Sequence, residues 1–182
     1  MSRRRRLLAV ALAVGAAVAY TATSSAADEV DSFGGNVQFV QLSGFNETLV
    51  AVSSPSSATF RIAINERTEE ITYRLSYSEF GTPVTQAHVH FGSAAQTGGV
   101  SFFLCTNLGN GPAGTQACPA AGPATVTGTI KPVDVIGPAA QGIAAGEFAE
   151  IVKAIKAGFA YVNVHTQQFA GGEVRAQLGH HH

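Results

Sequence analysis

Residues 58–77 read ATFRIAINERTEEITYRLSY, and this stretch decides the fold class. Apolar and polar side chains alternate on both sides of the polar segment 65–69, as they do in strands that bury one face. The pattern predicts a β-hairpin with one buried face. Its apolar positions are Ala58, Phe60, Ile62 and Ile64 in the first half, and Ile71, Tyr73, Leu75 and Tyr77 in the second.

The rest of the chain continues as short strands separated by turns. One helix is predicted over residues 145–157, because apolar residues recur at i, i+3, i+4 and i+7 from Phe148, and Gly158 follows as a stop signal. Seven to nine strands and one helix predict an all-β fold, either a Greek-key β-sandwich or a barrel. The remaining strands are predicted over residues 37–42, 85–91, 100–105, 124–130, 159–166 and 173–178.

The chain has two cysteines, Cys105 and Cys118, on either side of a turn-rich segment. In an oxidising compartment the default for such a pair is one disulfide. A redox-active pair is the alternative, but the spacing is not that of a C-x-x-C motif. We expect a single structural disulfide.

The first 27 residues have the three parts of a secretory signal peptide. Four arginines at positions 3–6 precede an apolar run over residues 7–19, and small residues follow over 21–27. An uncleaved anchor is the alternative, but the run is shorter than the roughly 20 residues that span a bilayer. The arginines suit either a general or a twin-arginine export signal.

We therefore expect a secreted protein, periplasmic or extracellular, with no membrane span once residues 1–27 are removed. Residues 28–36 resemble a flexible lead-in, and residues 37–178 form one domain. Residues 179–182 form a histidine-rich tail (His180, His181 and His182). This tail is either the remnant of an affinity tag or a natural metal-binding segment.

The charge balance and the motifs exclude several classes of function. Removing residues 1–27 takes away four of the eleven basic residues and none of the twelve acidic ones, which leaves a net charge of about −5. Such a chain lacks the basic footprint of a nucleic-acid-binding protein. It also has no G-x-S-x-G or H-E-x-x-H motif, and its carboxylates are too scattered for a glycosidase pair. The sequence identifies neither a reaction nor a protein partner.

The three internal histidines all lie in predicted strands. His88 and His90 are two residues apart, so both point to the same face of their strand, and His165 ends another strand. If the two strands are neighbours, three imidazoles converge. Imidazole nitrogens suit copper or zinc, and three of them with an open position suit a catalytic or redox site. The alternative is a set of hydrogen-bonded core histidines without a metal.

Polar residues around the second histidine strand are candidates for orienting the imidazoles. Asn163, Thr166 and Glu173 are predicted in this role. Arg175 alternates with Glu173 on the last predicted strand. These two either frame the site or pair with each other on a solvated face.

Seven motifs together resemble the CHRD domain, a module known from chordin and widespread in bacterial secreted proteins. The signature histidines of that family map onto His88, His90 and His165, and Ala176 stands where the family usually has glycine. Because the biochemical role of the family is poorly defined, the resemblance implies no activity. The motifs are LSGFNE (42–47), AHVH (87–90), GGV (98–100), FLC (103–105), VTGTI (126–130), YVNVHT (161–166) and GGEVRAQL (171–178).

The segment HVHFG at residues 88–92 also resembles a strand of copper/zinc superoxide dismutase, a Greek-key β-sandwich. Such a dismutase needs further histidines and an aspartate for its zinc site, and this chain has none to supply. The resemblance therefore implies one copper ion at most.

Two hypotheses about function follow. In the first, the exported domain binds one transition metal, copper with zinc as the alternative, for redox chemistry or metal handling. In the second, it is a metal-free extracellular structural or protein-interaction module that uses exposed loops such as 92–98 or 107–114.

Overall fold

The structure, a computed structural model, describes residues 36–179. The predicted signal peptide, the lead-in up to residue 35 and histidines 180–182 lie outside the described residues, and these assignments stay predictions. Within the described part, eight strands and one α-helix are present, and the helix is α1 (Phe148–Lys156). The strands are β1 (Asn36–Leu42), β2 (Ser57–Asn65), β3 (Glu70–Ser78), β4 (Val84–Phe91), β5 (Gly99–Thr106), β6 (Ala124–Ile130), β7 (Ala160–Thr166) and β8 (Val174–Leu178).

The strands form two antiparallel sheets of four, in the orders β1-β2-β3-β6 and β5-β4-β7-β8. β2 and β3 pair as the alternating sequence predicts, with Ile62 opposite Tyr73 and Phe60 opposite Leu75. β3 pairs with β6 while β4 and β5, which lie between them in the chain, belong to the other sheet. This is a Greek-key crossover. The predicted all-β sandwich is confirmed, and of the two predicted alternatives it is the sandwich, not the barrel.

The core lies between the two sheets and follows from strand alternation. Phe60, Ile62 and Leu75 fill it from the first sheet, and Val89 and Val162 from the second. The opposite face of the second sheet is buried as well, because loops cover it. Every residue of β7 is therefore buried, which neither alternation nor composition predicts.

The helix begins at Phe148, three residues after the start of the predicted range 145–157. Gly146 has a left-handed φ of +85°, so the chain turns there before the helical hydrogen bonds begin at Phe148. The apolar stripe packs into the core as expected, with Ile151 and Ile155 fully buried.

The predicted disulfide is confirmed between Cys105 and Cys118. Both cysteines are buried at the edge of the core, and Asn107 bonds to the backbone of Cys118 and of Val84. The bridge therefore ties the turn-rich segment 107–117 to β5, and Asn107 holds the segment against the start of β4. No helix within residues 36–179 has the length and hydropathy that a membrane span requires.

Candidate metal centre

The three internal histidines lie together on the outer face of the second sheet. In β4 the side chains of Ala87 and Val89 enter the core, so those of His88 and His90 point to the opposite face. β4 pairs with β7 in a register that places His88 opposite Asn163 and Gln86 opposite His165. Strand pairing therefore brings residues 75 positions apart in the chain onto one surface.

The rings are close enough to share one ion. The ring centroids of His88 lie 4.6 Å from those of His90 and 4.5 Å from those of His165, and the third pair is 6.5 Å apart. One nitrogen atom of each imidazole lies within 4.8 Å of the other two. The predicted convergence of the three histidines is confirmed.

Two of the imidazoles are oriented by backbone carbonyl groups. Nδ1 of His90 lies 2.8 Å from the carbonyl oxygen of Gly98, and Nδ1 of His165 lies 2.9 Å from that of Ala170. A carbonyl oxygen only accepts, so each Nδ1 carries the proton and donates it. In a neutral ring, the remaining nitrogen, Nε2, is then an unprotonated lone-pair donor.

Both of these Nε2 atoms face the side-chain amide of Asn163. Its Oδ1 lies 3.1 Å from Nε2 of His90 and 2.9 Å from Nε2 of His165. Oxygen lone pairs facing nitrogen lone pairs give no hydrogen bond. The amide satisfies both rings only in its opposite orientation, in which the NH₂ group donates to each of them.

His88 completes the cluster, but no backbone carbonyl orients its ring in the described structure. Its ring packs edge-on against Phe103, and its Nδ1 is buried with no hydrogen-bond partner in the described structure. A buried polar atom of this kind is costly unless something binds it. His88 therefore has an unused ligand atom.

Burial keeps the imidazoles neutral near pH 7. Burial lowers the pKa of His90 to about 4. It also lowers the pKa of His88 to about 2, and the neighbouring imidazoles of His165 and His90 lower that pKa further. The pKa of His165 is also lowered by burial. Neutral imidazole is the form that binds a metal, so no proton has to be displaced at neutral pH.

The sequence model of the CHRD domain matches residues 38–178. The chain belongs to the CHRD family. No curated protein and no solved structure matches it significantly, so the likeness to copper/zinc superoxide dismutase rests on the HVHFG segment alone. In this CHRD domain the segments AHVH and YVNVHT are the two neighbouring strands that carry the histidines.

One side of the histidine cluster is a stack of aromatic and cationic groups. The ring of Tyr161 lies on His90, and the guanidinium carbon of Arg175 lies 3.3 Å from the centre of the tyrosine ring. Arg175 also donates to the hydroxyl of Thr48 and to the carbonyl oxygens of Ser93 and Gln96. Arg175 thus fixes two loops around the site instead of pairing with Glu173.

Thr166 and Glu173 have other partners. Thr166 follows His165 in β7 and so points to the opposite face, where it donates to Glu173 at 2.7 Å. Glu173 also accepts hydrogen bonds from the hydroxyls of Ser54 and Ser56. Neither residue bonds to an imidazole in the described structure, so their orienting role stays a prediction, whereas Asn163 does lie against the rings.

A cavity of about 350 Å³ gives access to the imidazoles of His90 and His165. Its wall includes Glu47, which sequence reasoning did not select. No periodicity or motif spacing signals Glu47, because it follows a short 3-10 turn (Gly44–Asn46) in the connection between β1 and β2. Only its place in the LSGFNE motif sets it apart.

Proposed function

We propose that this CHRD-domain protein binds a single transition metal ion through His88, His90 and His165, outside the cytoplasm. Copper is the first candidate and zinc the alternative, and the ion would serve redox chemistry or metal handling. The carrying observation is the pair of Nδ1–H groups that donate to backbone carbonyls and leave two Nε2 atoms facing one space. Protein carbonyls orient metal-binding histidines in this way.

The donor set supports copper or zinc. The group consists of three imidazoles, and no carboxylate belongs to it. Nitrogen donors of this type favour copper and zinc over the oxygen-seeking ions magnesium and calcium. Three protein ligands also leave one coordination position open, as in catalytic sites.

Metal binding requires a small contraction of the site. With metal–nitrogen bonds of about 2.0–2.1 Å, ligand nitrogens are roughly 3.3 Å apart in a tetrahedral site. The imidazoles would therefore move together, and the amide of Asn163 would move out of the space between His90 and His165. The cavity beside Asn163 provides room for that movement.

The competing function is a metal-free structural or interaction module. The contact of Asn163 with both His90 and His165 favours it, because the amide in its donating orientation would satisfy both rings without an ion. The histidines would then stabilise the sheet only.

Titration calorimetry with Cu²⁺ and Zn²⁺ separates the two functions. The protein should carry serine in place of the three tail histidines, which removes the only other imidazoles. We expect one tightly bound equivalent, lost in His90→Ala and also in His165→Ala. Absence of tight binding by the tail variant, or binding that survives both alanine substitutions, would rule out the metal site and leave the module.

A further inference from the structure

Glu47 places a carboxylate in the wall of the cavity that leads to the imidazoles. The same cavity is lined by His90, Asn163 and His165. A Cβ atom added to Gly172 would lie 2.6 Å from Oε1 of Glu47 and 2.9 Å from Nδ2 of Asn163, so both atoms adjoin one point. The carboxylate is therefore a close neighbour of the amide that separates two of the rings.

One carboxylate oxygen of Glu47, Oε1, has no hydrogen-bond partner among the described residues. This oxygen is buried. Arg175 is near, but its hydrogen bonds go to Thr48, Ser93 and Gln96. An unpaired carboxylate oxygen costs free energy unless the site uses it.

Glu47 lines the same cavity as His90 and His165 but is not one of the proposed metal ligands. Its oxygens do not belong to the group of ligand atoms that lie within 4.8 Å of one another. The charged and titratable groups that face the cavity with it are His90, Tyr161, His165 and Arg175. Among these, only Glu47 combines an acceptor oxygen with the ability to take up a proton near neutral pH.

We infer that Glu47 is the acid–base group of this site: its carboxylate accepts a proton from a water molecule bound at the open coordination position of the metal. The inference rests on the proposed function. In this step one O–H bond of the water would break, its proton would form an O–H bond with the carboxylate of Glu47, and the electron pair would stay with the oxygen of the resulting hydroxide. No oxidant or reductant is needed.

The electrostatics of Glu47 agree with this role. Burial raises its pKa to about 7, although the charge of Arg175 acts in the opposite direction. A group with such a pKa exchanges protons readily at neutral pH, which is what general acid–base chemistry requires. A bound metal lowers the pKa of its water into the same range.

The test is a pH titration of the Cu²⁺-loaded protein between pH 5 and 10, followed by visible absorption and electron paramagnetic resonance. Two groups that interact strongly lose their protons in two coupled steps. We expect two steps in the wild type and one step, lying between them, in Glu47→Gln, with the copper stoichiometry unchanged. The exposed Glu69 provides the control, and Glu69→Gln should reproduce both steps.

The outcomes distinguish this inference from the function on which it rests. If Cu²⁺ does not bind to the wild type, the proposed metal site is wrong and the role of Glu47 with it. If Cu²⁺ binds and Glu47→Gln titrates like the wild type, the metal site stands and only the acid–base role is overturned. A loss of thermal stability in Glu47→Gln with an unchanged two-step profile would likewise show a purely structural residue.

Discussion

The ring of Tyr161 lies parallel to the imidazole of His90, with 4.6 Å between the ring centroids and an angle of 3° between the planes. Arg175 covers the other face of the tyrosine, so the imidazole is fixed from one side by two stacked planar groups. Aromatic stacking and a cation over an aromatic ring each contribute about 0.5–2 kcal/mol. The orientation of His90 therefore depends on two residues outside the group of three histidines.

The first prediction concerns Arg175. Replacing it with lysine keeps the charge but removes the planar group and the fork of donors that reaches Thr48, Ser93 and Gln96. We expect Arg175→Lys to lower the free energy of unfolding by about 1–3 kcal/mol. Urea denaturation measures this, and the exposed Arg67→Lys is the control. Equal stability of the two variants would contradict the argument.

Much of the fold follows from the sequence because one buried face leaves a period of two. The hairpin of β2 and β3 was predicted on this basis, and the positions of β4 and β7 were predicted from the turns that bound them. The pairing of β4 with β7 was not, because alternation shows which face of a strand is buried and not which strand lies beside it. The residues therefore predict that the three imidazoles converge only on the condition that those two strands are neighbours.

The candidate site was predicted in part for the same reason. His88 and His90 share one face of β4, which their spacing of two predicts, whereas His165 joins them only through the pairing of β4 with β7. Glu47 lies in an irregular connection, where no period relates one residue to the next. Thr166 was selected for its nearness to His165 in the chain, but adjacent residues of a strand point to opposite faces.

A second prediction uses two adjacent glycines. Gly172 has φ +127°, and a Cβ there would meet both Glu47 and Asn163, whereas a Cβ at Gly171 would meet nothing within 4 Å. We expect Gly172→Ala to lower metal affinity at least tenfold and stability by about 1–3 kcal/mol, because the residue is strained and displaces both side chains. Gly171→Ala should behave like the wild type. Calorimetry and urea denaturation of both variants provide the measurement, and matching affinities would refute the crowding argument.

The third prediction concerns the stability of the metal-free protein in mild acid. The pKa values of the three histidines are lowered on folding, to about 4 for His90 and about 2 for His88, so between pH 6.5 and 4 the unfolded chain binds more protons at these rings. Glu47 acts in the opposite sense between pH 4.5 and 7, because folding raises its pKa. Three rings outweigh one carboxyl, so stability present above pH 6.5 is lost as the pH falls towards 4.

Urea denaturation at pH 7, 6 and 5 checks this dependence. Each proton by which the two states differ changes the free energy of unfolding by about 1.4 kcal/mol per pH unit. His88→Gln should show a smaller pH dependence than the wild type, since one ring no longer titrates. A free energy of unfolding that rises between pH 7 and 5 would contradict the prediction.

The fourth prediction concerns the disulfide between Cys105 and Cys118. Closing a loop of this size restricts the unfolded chain and contributes about 3 kcal/mol in the chain-entropy model. The double variant Cys105→Ala with Cys118→Ala should lose about 2–4 kcal/mol of stability in urea. Wild-type protein under reducing conditions should match it. No loss in either case would mean that the hydrogen bonds of Asn107 hold the segment without the bridge.

The connection between β1 and β2 is tied to the far end of the chain. Ser43 exchanges backbone hydrogen bonds with Arg175, and Ser54 and Ser56 donate to Glu173. One layer of the sandwich therefore supplies the floor of the cavity. A segment that joins two strands of the other layer supplies one of its walls. A chain whose layers have not yet docked lacks this enclosure, so the proposed site exists in its enclosed form only after the two sheets have packed together.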